Sequence, residues 1–345
     1  MRPWSLAPND GRGRSRPDED ESMAISDPIV SELANPFALS DGEGYMWLKG
    51  NVHTHTTNSD GRVEPQDRLD QYVAKGYDFL CLTDHYTITR VDSVRPPDDF
   101  VLVQGAELHP ESPFGGREYH LVCLGIDEDM DSEAMSPQDV MDRVNGQGGS
   151  AWLGHPHFCA VNVLRDVMPL TGLAGIEVFN TATRCAGRGE AAVHWDDWMD
   201  QAKRLIPAIG NDDAHGREAE NHDTYQAWTM VRVKERTVEA VMGALRAGAS
   251  YVTTGPTIDD LALEWIEDSG EATGHFRAMV KCSAALRVLA ITNYIGANYD
   301  EQGETFEQCT MALRATNQWV RFEILSADGT KAWSNPLDLN ALRRT

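Results

Sequence analysis

From about residue 45 the chain alternates short apolar runs with amphipathic stretches. The runs are Tyr45–Val52, Tyr77–Leu82, Phe100–Val103, Tyr119–Gly125, Ser150–Leu153, Gly175–Phe179 and Leu205–Ile209. Each is strand-length and rich in β-branched or aromatic residues. Between them, Pro65–Lys75 places Leu69, Tyr72 and Val73 on one helical face, and Gly76 supplies a stop. Ser136-Pro137 reads as an N-cap followed by proline at the first helical position. Thr237 caps a segment carrying Val238, Val241, Met242 and Leu245, which ends at Gly248. This alternation predicts parallel strands with right-handed crossovers. About seven strands over roughly 200 residues predict an α/β barrel rather than a short open sheet. After Gly255-Pro256 the texture changes. Leu261–Trp265, Phe276–Val280, Leu286–Thr292, Thr310–Leu313 and Trp319–Leu325 are separated by turn residues such as Asp328-Gly329. They predict a small antiparallel, sandwich-like β domain over 257–345. Residues 1–25 are polar and rich in Arg, Asp, Glu, Gly and Pro, the composition of a disordered tail.

The polar residues are not scattered over this pattern. Asn51-Val52-His53-Thr54-His55 ends the first run, and Asp60 follows in a turn. Residues two apart on an extended segment share a face, so His53 and His55 can reach one ion. Asp84-His85 ends the second run and Glu107 follows the third, with His109 behind it. His120 begins the fourth run, and His155 and His157 end the fifth. Glu177 and Asn180 end the sixth, and Asp212-Asp213-Ala214-His215 follows the last. Active sites of β/α folds gather at strand C-termini. Imidazoles mixed with carboxylates, without thiolates, suit Zn, Mn or Fe with open positions. The candidates exceed what one ion can use and imply two or three ions, the arrangement that clamps attacking and leaving oxygens in a hydrolysis. Taken singly, His109, His157, His194, His222 and His275 read as ordinary satisfied side chains. Asp212 reads as a doubtful case, a loop carboxylate in solvent.

Composition narrows the partners. Lys and Arg total 30 against 54 Asp and Glu, a net charge of −24. Such a surface repels phosphate backbones and anionic lipid. Nucleic acid is therefore disfavoured as a partner apart from short oligonucleotides or nucleotides, although a local basic patch is left open, and a small-molecule substrate is expected. No run approaches the ~18 apolar residues of a membrane span. The N-terminus lacks the apolar core of a secretory signal. The six cysteines form no C-x-x-C pair, and Cys81 and Cys123 sit in apolar runs, as buried thiols of a reducing compartment do. A cytoplasmic location is expected, and homo-oligomerisation is left open.

The ordered set resembles the PHP (polymerase and histidinol phosphatase) family. Its pattern is H-x-H followed by His or Asp, an Asp-His pair, a Glu, two isolated His and a final D-x-H. Here these are His53-x-His55 with Asp60, Asp84-His85, Glu107, His120, His155 and Asp213-x-His215, in order across roughly 45–256. Glu-Val-Phe-Asn at 177–180 and the run ending at Pro256 are also similar to the family. The amidohydrolase superfamily shares the first H-x-H but usually ends on a lone Asp. The resemblance implies a distorted (β/α)7 TIM-like barrel followed by the small β domain. It implies the metal ligands His53, His55, Asp60, His85, Glu107, His120, His155, Asp213 and His215, with Glu107 bridging two ions and Glu107, Asp213 and His215 central to catalysis. Asp84 is expected to orient a ligand imidazole, and His157 is a candidate proton donor.

Phosphate-ester hydrolysis is the commonest chemistry of that family. It needs positive groups for the remaining phosphate oxygens, for which Arg62, Arg117, Arg184 and Arg188 are candidates and Asn180 a further polar contact. The runner-up is amide or carbamate hydrolysis. The barrel with a β tail carrying Lys331–Pro336 looks like the branch that includes carbamate-insecticide hydrolases, and Trp152, Trp195 and Trp198 are candidates for an aromatic pocket. A non-catalytic metal-binding PHP module ranks third.

Overall fold

The computed structural model describes residues 35–115, 117–159, 164–216, 223–267 and 274–342. The expected tail at 1–25 and His222 lie outside them. Chain order is β1 (Met46–Asn51), α1 (Pro65–Ala74), β2 (Phe79–Leu82), β3 (Val101–Leu108), β4 (Leu121–Leu124), α2 (Pro137–Gly146), β5 (Ser150–Leu153) and α3 (Pro156–Cys159). There follow α4 (Leu164–Val167), β6 (Leu173–Asn180), α5 (Thr181–Arg184), α6 (Ala192–Ala202), β7 (Ala208–Asn211), β8 (Trp228–Val233), α7 (Val238–Arg246) and β9 (Ser250–Thr253). The caps act as their residue types predict. Ser136 accepts from the Asp139 N–H at the start of α2, and Thr237 accepts from the Ala240 N–H at the start of α7.

The sheet runs β8-β1-β2-β3-β4-β5-β6-β7. β1–β2, β2–β3, β5–β6 and β6–β7 pair parallel, whereas β4 is antiparallel to both β3 and β5. Uniform parallel pairing therefore does not hold. The link from β3 to β4 carries no helix among its described residues, unlike the crossovers that usually join parallel neighbours. The reversal has a functional consequence. It puts the start of β4, and with it His120, at the same edge as the ends of the other strands.

Nor does the sheet close as the expected barrel. Its ladder leaves β1 toward β8, and no ladder joins β7 to β1 or β8 among the described residues. Side chains span the seam instead. The Thr229 hydroxyl accepts from the Gly210 N–H at 2.9 Å and donates to the Gly210 carbonyl at 3.0 Å. Asn211 Oδ1 accepts from the Val52 N–H at 2.8 Å. Gly210 is required there, because a Cβ would lie 2.1 Å from Val252 Cγ1 of β9. Beyond the seam a single parallel bridge, Thr54 to Ala214, ties the two segments that carry H-x-H and D-x-H.

After Pro256 the strands are β10 (Ile258–Glu267), β11 (Gly274–Ala285), β12 (Arg287–Thr292), β13 (Ala297–Asp300), β14 (Phe306–Arg314), β15 (Trp319–Leu325), β16 (Lys331–Ser334) and β17 (Leu337–Asp338), then α8 (Leu339–Leu342). β10-β11-β14 form a separate sheet, while β13-β12-β15-β16 continue the large sheet through β9. One apolar core including Phe276, Val280, Phe322 and Ile324 fills the space between them. The candidate aromatic pocket does not form: Trp152, Trp195 and Trp198 are buried in the apolar cores packed against the β1–β7 part of the large sheet. No helix among the described residues is long and apolar enough to cross a membrane.

Candidate metal centre

The extended segment after β1 alternates as its spacing predicts. Thr54 turns away, its hydroxyl donating to the Cys81 carbonyl at 2.8 Å, while His53 and His55 enter the site. Arg68 of α1 clamps the two segments that carry the candidate ligands His53, His55, Asp213 and His215. Its guanidinium donates to the carbonyls of His55, Ala214 and Gly216 while the residue is wholly buried.

Glu107 is the centre. Its Oε2 lies 3.2 Å from His53 Nε2, 3.3 Å from His55 Nε2 and 3.1 Å from His85 Nδ1. Its Oε1 lies 2.7 Å from His120 Nδ1, 3.2 Å from His155 Nε2 and 3.4 Å from His109 Nε2. Asp213 Oδ1 is 2.9 Å from His55 Nε2 and 3.3 Å from His53 Nε2. At the open side, Asp60 lies 3.4 Å from both His85 Nε2 and His215 Nε2. The structure thus brings together all nine residues that the resemblance implies as ligands.

The donor set fits divalent cations. His53 Nε2, both nitrogens of His55, His85 Nδ1, Glu107 Oε2 and Asp213 Oδ1 are buried without a hydrogen-bond partner. Unpaired buried polar atoms are costly, and converging lone pairs are what a cation satisfies. Two groups, His53-His55-Glu107-Asp213 and His55-Asp60-His85-His215, each offer ligand atoms within 4.8 Å of one another. His120 and His155 form a third such group with Cys159, whose Sγ lies 3.4 Å from His155 Nδ1.

Charge follows the same layout. Burial opposes charge on His85 and His215, but the facing carboxylates outweigh it, pushing His85 up to about 10 and His215 up to about 9. At His120 burial wins over Glu107 and pulls the imidazole down to about 4. Burial also opposes ionisation of Asp60, Glu107 and Asp213, yet the imidazoles hold all three below the usual carboxylate range. A divalent cation binding here displaces imidazole protons, so its affinity rises with pH.

Other expected residues lie elsewhere. Asp84 meets no imidazole; it accepts from the Thr56 N–H and from the hydroxyls of Thr56, Ser59 and Thr89, bracing the loop between His55 and Asp60. His157 turns away, Nδ1 lying 2.9 Å from the Glu190 carbonyl. Asn180 sits behind the cluster, its amide donating to Glu177 at 2.9 Å and Asp213 at 3.1 Å. Arg184 and Arg188 are exposed, and Arg188 donates to the Phe158 carbonyl at 3.4 Å. Arg117 lies over the Phe158 ring, which stands edge-on to His155.

Sequence reasoning gave Glu177 no role of its own and left His109 among the ordinary satisfied side chains. Glu177 is wholly buried, accepting from the His155 N–H, Asn180 and Asn211, with Oε1 3.2 Å from His53 Nδ1. His109 stacks on His120 at 3.7 Å. Its position two residues from Glu107 on an extended strand was the available signal.

Asp212 is not in solvent. Burial pushes its carboxyl up to about 6, against hydrogen bonds from Tyr72, Thr181 and the N–H groups of Tyr225, Gln226 and Ala227. Asp212→Asn turns one acceptor into a donor facing donors, and an expected loss of about 2–4 kcal/mol follows. Urea unfolding checks it; an unchanged midpoint would show that the loop is held by other contacts.

No family model matches the chain. A Methanocaldococcus jannaschii protein of uncharacterised function is 28% identical over 149 residues, 40% of this chain and 84% of that protein. A 5′-3′ exoribonuclease of Haemophilus influenzae is 33% identical over 86 residues, 24% of this chain and 31% of that enzyme. Among solved structures, a two-domain Bacteroides vulgatus protein assigned a PHP-like metal-dependent phosphoesterase domain matches at TM-score 0.47 and 16% identity, over 86% of this chain and 96% of that one. A Bifidobacterium adolescentis protein assigned as a metal-dependent phosphoesterase matches at TM-score 0.39 and 15% identity, over 50% and 89%. An amidohydrolase from Chromobacterium violaceum, with bound sulfate and no metal, matches at TM-score 0.36 and 16% identity, over 50% and 89%. At such scores the functional reading has to rest on the chain's own side chains.

Proposed function

We propose that the chain is a metal-dependent hydrolase of small phosphate esters, holding two or three Zn, Mn or Fe ions in a PHP-type site. The observation that carries this is Glu107, a buried carboxylate faced on both oxygens by six imidazoles. His53, His55 and Asp213 would hold ions in the interior, His120 and His155 on the Oε1 side of Glu107, and Asp60, His85 and His215 at the mouth. Such ions activate water and offset charge developing on substrate oxygens. Asn180 and Glu177 keep Asp213, His53 and His155 aimed inward. Arg117 and Arg188, gathered at Phe158 beside His155, are positioned to meet the remaining phosphate oxygens. Arg62, whose N–H donates to the His215 carbonyl at 2.7 Å, stands on the opposite side.

The exoribonuclease activity named for the Haemophilus influenzae relative is also phosphate-ester cleavage. A net charge of −24 opposes long polynucleotides, so nucleotides and short oligonucleotides fall within the proposal. Cytoplasmic residence remains part of this reading.

The test is a rate panel on Mn- or Zn-loaded protein with an aryl phosphate monoester, an aryl phosphodiester and an aryl N-methylcarbamate, using Asp213→Ala as background. Phosphoester turnover that vanishes in the variant is expected. Arg117→Ala with Arg188→Ala should raise KM for the phosphoester roughly tenfold or more, as loss of charge-assisted hydrogen bonds does, and leave the carbamate KM alone. Carbamate turnover without phosphoester turnover would replace this reading with amide-type hydrolysis.

A further inference from the structure

Tyr86 stands at the mouth of the cluster directly after His85. It is 39% exposed, and its backbone is left-handed at φ 61°. A bulky residue in that region is strained and persists where its surroundings fix it, commonly at functional sites. Here its N–H donates to the Glu107 carbonyl at 3.0 Å, and its hydroxyl lies 3.1 Å from His109 Nδ1. His109 is buried, edge-on to His85 at 4.6 Å, and its Nε2 lacks a hydrogen-bond partner while pointing toward Glu107. The Tyr86 hydroxyl and the central carboxylate thus lie on opposite sides of one imidazole. On its solvent side an open depression of about 370 Å³, lined also by Asp129, Met130, Asp131 and Glu133, leaves room for a leaving group.

We propose that Tyr86 donates the proton to the leaving oxygen and that His109 is its positioning residue; this rests on the hydrolase reading of the cluster. Were a cation held beside Glu107, the unpartnered Nε2 of His109 would present its lone pair to it, and the single ring proton would sit on Nδ1 and be donated to the Tyr86 oxygen. The Tyr86 O–H is then free to point outward. In hydrolysis a water oxygen bonds to phosphorus. The bond from phosphorus to the leaving oxygen breaks, its electron pair stays on that oxygen, and the Tyr86 proton joins it. The proton released by the attacking water restores the phenol, so the sum is ester plus water giving alcohol plus phosphate.

The test is a leaving-group series of phosphate monoesters, from p-nitrophenol through phenol to an alkyl alcohol, with Mn-loaded wild type, Tyr86→Phe and His109→Gln. Tyr86→Phe should lose about 10²–10⁴-fold in kcat on the alkyl ester, the scale of general acid catalysis. It should lose little on p-nitrophenyl phosphate, whose anion leaves unprotonated. His109→Gln should show the same selectivity with a smaller loss. Both variants should keep wild-type melting temperature, and Tyr86→Phe wild-type metal content by elemental analysis. A loss equal across the series, or none, overturns the proposal. If wild type cleaves carbamates and not phosphoesters, the phosphoesterase reading fails separately. The same alcohols are then compared as carbamates, where selectivity supports Tyr86 and a flat profile overturns it. A wild type inert toward both classes overturns the hydrolase reading and this proposal together.

Discussion

Glu107→Gln is expected to cut turnover by on the order of 10³-fold, the cost of losing a fixed electrostatic group at a reacting centre, while the fold persists. Glu107 is 1% exposed, and each of its oxygens faces three imidazole nitrogens. Glutamine keeps the volume but removes the charge and turns one oxygen into a donor. With a cation held there, that donor would face the cation, which cannot accept it, and the anionic ligand oxygen would be lost. The fold has reason to survive, because β3 is held on both sides by backbone ladders that do not involve this side chain. Steady-state kinetics on the variant, with circular dichroism and metal content measured alongside, checks this. Wild-type turnover would remove Glu107 from the mechanism.

Glu177→Gln is expected to weaken metal binding by about 10–100-fold, the usual effect of altering a group that orients a ligand. Glu177 makes no approach to the open side. It bonds His155 through its N–H and lies 3.2 Å from His53 Nδ1, with the amides of Asn180 and Asn211 completing its shell. A carboxylate there fixes the His53 tautomer and leaves Nε2 free to face Glu107. Chelator competition measures the affinity directly. Turnover should fall at limiting metal and recover largely at saturating metal. An unchanged affinity would reduce Glu177 to a packing role.

Much of the cluster was legible because most of the candidate ligands fall at or just after the end of an apolar run. His120 shows why the pattern worked even at its exception. It precedes its run, and β4 runs opposite to its neighbours, so the start of β4 reaches the shared edge. The parts that were not legible depend on partners distant in sequence. Glu177 is one more polar residue in a buried strand until Asn211 and His53 are seen around it. Arg68 looks like a solvated helix residue, and only the fold shows three carbonyls waiting for it. The seam was hidden for the same reason: strand counts predict a barrel, but the Thr229 hydroxyl takes the bonds at Gly210 that a ladder would need. His109 is a different case. Its in-step position beside Glu107 was readable, and only the assumption of an ordinary buried histidine set it aside.

The most direct test of a multinuclear metal centre is elemental analysis of the full chain after Mn or Zn loading and desalting, with Asp213→Ala as a partner sample. Two to three ions per chain are predicted, with fewer in the variant. A loaded wild type that retains none would contradict the account.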